Sequence, residues 1–113
     1  MTMQEWIDRY EAKAEKFIID DDTHVFFSPE NGFICWQKMG ESLYLNHTCV
    51  KDVEWARARV CELAKENGCR YLITLVKRNP VAYQRLTRAH FVPGESRRLA
   101  NGEFYWAFEE KVV

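Results

Sequence analysis

No apolar run in this 113-residue chain approaches the length that would span a bilayer. Its opening residues, MTMQEWIDRYEAK, are charged and amphipathic, unlike the leaders of secreted or organellar proteins. A cytoplasmic location, or a host-cell interior, is therefore expected. No C-x-x-C pair occurs. Cys35, Cys49, Cys61 and Cys69 lie singly in apolar surroundings, which reads as reduced core thiols. No second Cys/His pair stands at zinc spacing from His24 or from His47-Thr48-Cys49. Asp20-Asp21-Asp22 lacks the glycine of a calcium loop and reads as a solvated turn, so no metal site is expected. Internal repeats, low-complexity tracts and an RNP-type aromatic motif are also missing.

What is present is a core. Hydrophobic residues make up 47% of the chain and aromatics 14%, enough to fold residues 1–113 as one globular domain without staples. The net charge of −1 hides an asymmetry. Residues 1–30 are acid-rich, with Glu5, Asp8, Glu11, Glu15, Asp20, Asp21, Asp22 and Glu30 against Arg9, Lys13 and Lys16. Residues 70–98 carry Arg70, Lys77, Arg78, Arg85, Arg88, Arg97 and Arg98 against Glu95 alone. A basic half attracts phosphates, of a nucleotide cofactor or of nucleic acid; the plainer reading is a solvated strand end and helix face. Nucleic acid is the least favoured partner, and its signature would be a steep salt dependence.

The periodicities lay out the elements. Thr2-Met3-Gln4-Glu5 has the form of a capping box, and Met3, Ile7, Tyr10, Ala14 and Phe17 then stripe one face of a helix to about Ile18. From Thr23 the period shortens. His24–Ser28, Phe33–Met39 and Leu43 to about Val50 read as three strands of an antiparallel meander, linked by Pro29-Glu30-Asn31-Gly32 and Gly40-Glu41-Ser42. Residues from about Asp52 to Asn67 form a second amphipathic helix, with Gly68 placed to end it. Tyr71–Val76 is a nearly unbroken apolar run, the pattern of a strand buried on both faces. Asn79-Pro80 caps and opens a third helix to about Arg88. Two last strands, about Phe91–Leu99 and Glu103–Phe108, pair across Asn101-Gly102. The order α-β-β-β-α-β-α-β-β argues an α/β (α+β) fold with a mixed central sheet flanked by helices.

The stretch from Gly68 to Phe91 resembles the C-terminal half of the GNAT (Gcn5-related N-acetyltransferase) superfamily. There a buried strand precedes an N-x-x-A…Y-x-K-x-G-F helix, and Asn79, Ala82, Arg88 and Phe91 fall at matching spacings, with Arg88 in place of lysine. The resemblance implies the acyl-CoA N-acyltransferase fold, acetyl-CoA as acyl donor, and a small-molecule or protein amine as acceptor. Carried over residue by residue, it places the cofactor loop at Val50, Lys51, Asp52 and Val53, with Asn79 also contributing. This sequence departs from the family in three places. The loop has no glycine and carries Asp52; Leu86 stands where a proton-donating tyrosine is usual; His90 replaces the glycine before Phe91. Tyr83, one helical turn before Leu86, is the candidate acid, against a plainer role as a packed aromatic.

Two functions follow. One is acyl transfer from acetyl-CoA to an amine. The other is a GNAT-fold binding or assembly module without catalysis, with a homodimer as one form, of a kind that small phage-encoded GNAT-like proteins resemble. Outside the family pattern, strand alternation puts His47 and Cys49 on one face, as a proton relay or thiol nucleophile, or as a satisfied histidine beside a packed thiol.

Overall fold

The computed structural model describes residues 1–76, Val81, Arg85, 92–98 and 104–112. Helix α1 spans Met3–Lys13, strands β1 His24–Ser28, β2 Gly32–Met39 and β3 Ser42–Val50 follow, then α2 Val53–Glu66, β4 Tyr71–Val76, β5 Val92–Arg98 and β6 Phe104–Lys111. The six strands form one sheet in the order β1-β2-β3-β4-β6-β5. All neighbours are antiparallel except β3 and β4, which α2 joins as a crossover. Val81 and Arg85 are helical. The rest of the third helix expected from Pro80 to Arg88 lies outside the described residues, as do Asn79, Tyr83 and the Asn101-Gly102 turn.

Each helix forms where local chemistry starts and stops it. Thr2 and Glu5 exchange side-chain and backbone hydrogen bonds as the expected capping box. Asp52 caps α2, and Gly68 takes a φ of +69° just past its end. On α2, Ala56, Val60 and Ala64 are buried, small residues four apart that let the helix lie close on Leu43, Leu45 and Leu72. Fully burying a side chain such as Leu43 or Leu72 stabilises the fold by roughly 1.5–3 kcal/mol. This face also holds the Arg57–Glu110 pair, in which Nε and Nη2 donate to one carboxylate oxygen at 2.9 and 2.6 Å. Glu110 is buried on β6, so the pair ties α2 to the sheet's interior. On the opposite face Trp6 and Tyr10 of α1 pack on Phe33 and Cys35 of β2. No helix among the described residues is long and apolar enough to cross a membrane.

Two boundaries and one burial pattern differ from the sequence expectation. Helix α1 ends at Lys13, before Phe17. The Glu11 carboxylate accepts the Phe17 amide, and the Phe17 ring turns back edge-on to Phe33 at 5.2 Å. An aromatic contact thus takes Phe17 into the same cluster by a non-helical route. Strand β4 is buried on one face only: Leu72 and Thr74 are inside, while Tyr71 and Ile73 are half-buried and Leu75 is exposed. Strand β6 runs three residues past Phe108, because Glu109, Glu110 and Lys111 pair with Ile73, Leu72 and Tyr71. It sits inside the sheet, between β4 and β5.

Gly32 is part of β2, where it pairs with both Ser28 and Val50. Its φ is +117°, and a Cβ there would lie 2.0 Å from the Cys49 carbonyl oxygen. That obstruction is backbone and cannot swing away. Gly40 also has a positive φ, +62°, but open space around its missing Cβ. We therefore expect Gly32→Ala to cost about 3 kcal/mol or more and Gly40→Ala about 1 kcal/mol. Denaturant melts of the two variants check the difference; equal losses would place Gly32 in open space.

Candidate functional site at the parting of strands β3 and β4

The parallel strands share four rungs, from Ser42 opposite Tyr71 to Leu45 opposite Thr74. Past that point β3 continues to Val50 and β4 to Val76 without a further rung between them. The cause lies on the other edge of β3. There Leu45 faces Trp36 and His47 faces Cys35, so Asn46 is an extra residue, a β-bulge. A bulge bends its strand and increases the local twist. At the last rung the Thr74 hydroxyl donates to the Leu45 carbonyl at 3.1 Å, so a side chain closes the parallel ladder. The bulge also exchanges faces. Leu43 and Leu45 point toward α2, whereas His47 and Cys49, two and four residues further on, point toward α1. Crevices at the carboxyl ends of parallel strands, beside a helix N-terminus, are the usual ligand positions of such sheets.

The residues expected to hold a cofactor gather at this end. Val50 packs on the α2-side core, Lys51 and Asp52 are exposed, and Val53 opens α2 half-buried. The Lys51 amide and two amides of the first turn of α2 are, however, engaged. Asp52 Oδ1 accepts from the Glu54 and Trp55 amides at 2.9 and 3.4 Å, and the Lys51 amide donates to the Asn31 carbonyl at 2.9 Å. The carboxylates of Asp52 and Glu54 stand at the positive end of the helix dipole, where an incoming phosphate would otherwise bind. Lys51 supplies the compensating charge. Asn79 and Tyr83 lie outside the described residues.

Toward α1, His47 is held at both ring nitrogens. Nε2 lies 3.0 Å from the Ile18 carbonyl, which only accepts, so Nε2 carries the proton. Nδ1 lies 2.6 Å from the Tyr10 hydroxyl and 3.5 Å from a Glu15 carboxylate oxygen. With Nε2 protonated, Nδ1 is an acceptor for the Tyr10 hydroxyl, which also has a Glu15 carboxylate oxygen within reach at 3.3 Å. Burial, and then the Glu15 carboxylate, push the Tyr10 pKa up, so the phenol keeps its proton. Burial likewise pushes the Cys35 thiol up to about 12 and raises Cys49 against the lowering pull of Arg9 and Lys13. The packed-thiol, satisfied-histidine reading is therefore the one the geometry supports.

Sequence reasoning missed the bulge. The signal was the polar run Asn46-His47-Thr48 inside a strand whose flanks alternate. It also missed the contacts that fold residues 15–20 over this face: Glu15 and Ile18 meet His47, Phe17 meets Phe33, and Asp20 meets Gln37.

No family model and no curated protein sequence matches the chain. Solved structures do. The ribosomal-protein-S18-alanine N-acetyltransferase from Escherichia coli superposes with a TM-score of 0.63 at 14% identity, covering all of this chain and 91% of that one. A protein described as a probable acetyltransferase, from Staphylococcus epidermidis, gives 0.66 at 17%, covering 94% and 83%. One whose description assigns it to the GNAT family, from Desulfovibrio desulfuricans, gives 0.56 at 15%; 85% of this chain spans 66% of that one. The chain has the GNAT fold, as its sequence resemblance implied.

The raised thiols make a direct prediction. Native protein at neutral pH should react with an aromatic disulfide reagent far more slowly than unfolded protein, in which all four cysteines report. Because a raised pKa keeps the thiol neutral to higher pH, the native rate should keep climbing beyond the ordinary thiol range. A fast native equivalent at neutral pH would restore a nucleophilic cysteine.

Proposed function

We propose that this protein transfers an acyl group from the thioester of acetyl-CoA to an amine, using the crevice between β3 and β4. The observation that carries the reading is the parting of two parallel strands at the Asn46 bulge, with the Val50–Val53 turn at the same end. An extended, amide-bearing thioester arm suits such a gap, because its amides can pair with strand edges that no longer pair with each other. The amine nitrogen attacks the thioester carbonyl, a C–N bond forms and the C–S bond breaks. The amine loses a proton, and the departing thiolate takes one up as it leaves as CoA thiol. Among the described residues of this turn, Lys51 is the charge available to the cofactor's phosphates. Acyl transfer to a protein amine, as in the name of the E. coli neighbour, and to a small amine are both compatible with this opening.

One observation favours a second reading. Asp52 occupies the amides and the dipole end that a pyrophosphate would use, which suits a GNAT-fold binding or assembly module, homodimeric or with another partner, within a cell or a phage-infected host.

Calorimetric titration of acetyl-CoA and CoA at low salt separates the two. In the transferase reading the wild type binds in the micromolar range. Lys51→Glu then weakens binding about tenfold, and Asp52→Ser, which keeps a capping oxygen but removes the charge, strengthens it several-fold. No heat and no thermal shift at millimolar cofactor would sink the transferase reading and leave the module.

A further inference from the structure

We propose that Asn46 orients the ligand of the crevice, accepting a hydrogen bond on Oδ1 from an N–H group. The inference rests on the acyl-transfer reading and names a residue that would hold one of its reactants.

The argument starts at an acid. Asp20 Oδ1 can only accept, so the Gln37 group lying 3.0 Å from it is Nε2. That turns Gln37 Oε1 toward Asn46. An amide oxygen also only accepts, so Asn46 meets it with Nδ2, again at 3.0 Å. Asp20 thus fixes the polarity of both amides across the sheet. The same Asp20 oxygen accepts the Asp22 amide and the Thr23 hydroxyl, which holds the acid in place. Asn46 Oδ1 is left turned away from Gln37, buried, and without a partner among the described residues.

A buried acceptor without a donor costs free energy, and native proteins rarely keep one where nothing comes to fill it. This one belongs to the bulge residue at the point where the parallel strands part. The missing partner is therefore a donor that enters the crevice. Two groups of the proposed reaction carry N–H bonds there: the amides of the thioester arm and the acceptor amine. Asn46 acts as a positioning residue for one of them.

The test uses the full chain and calorimetry with acetyl-CoA, and with n-butylamine in the presence of CoA. Asn46→Leu removes the acceptor at similar volume; Asn46→Asp keeps it and adds a charge. Asn46→Leu should weaken one probe by about tenfold, the loss of one hydrogen bond. If the donor is an amide of the arm, acetyl-CoA weakens and Asn46→Asp stays within a few-fold of wild type. If it is the amine, n-butylamine weakens and Asn46→Asp tightens it. Should Asn46→Leu fail to fold, Gln37→Leu leaves Asn46 in place but free to turn over, and a smaller loss of the same probe is expected. Unchanged binding of both probes by the folded variants would overturn the inference alone, leaving Oδ1 to a trapped water. Binding of neither probe by wild type would overturn the acyl-transfer reading and this inference together.

Discussion

One extra residue in β3 governs the geometry of this protein. Asn46 has no opposite number on β2, and the strand absorbs it by bending and by exchanging its faces. Before it, Leu43 and Leu45 build the core under α2; after it, His47 and Cys49 build the smaller cluster under α1. The same bend ends the parallel pairing with β4. Two layers of packing and a crevice between strands follow from a single irregularity, which ordinary alternation would have forbidden.

The two faces are held by different means. The α2 face is a continuous apolar core, closed by close contact of small helix residues and by the Arg57–Glu110 pair. The α1 face is smaller and more polar. There the Tyr10 hydroxyl, the His47 ring, the Glu15 carboxylate and the Asp20–Gln37–Asn46 chain organise the residues after α1. Directional bonds do on this side what area does on the other, and they converge on the strand that carries the bulge.

Most of the scaffold was legible in the sequence. Strands His24–Ser28 and Tyr71–Val76 have the expected ends, and the capping box and Gly68 bound their helices as their chemistry requires, while the Asp52 cap is seen only in the structure. What escaped were features set by distant partners. Phe17 fits the helical stripe of α1, yet an aromatic contact to Phe33 outweighs helix propensity. Asn46 is a polar residue in a strand, and only the register of β2 shows it to be a bulge. The candidate site was read from the family pattern at Val50–Val53. The structure places that turn at the crevice but shows the Lys51, Glu54 and Trp55 amides engaged, a detail that depends on where Asp52 and Asn31 come to lie.

The meander and the parallel pair also differ in what must happen before they can form. Hairpins β1–β2 and β2–β3 close across links of a few residues, and the Asn31–Lys51 bond fastens the end of β3 to the first turn. Pairing β3 with β4 must wait for the whole α2 crossover, a longer loop with a larger closure entropy. The crevice therefore lies on a late-closing seam between a locally folded half and the rest. A ligand that bridges such a seam gains most of its contacts after the folding barrier, so its grip is felt in how slowly the native state comes apart.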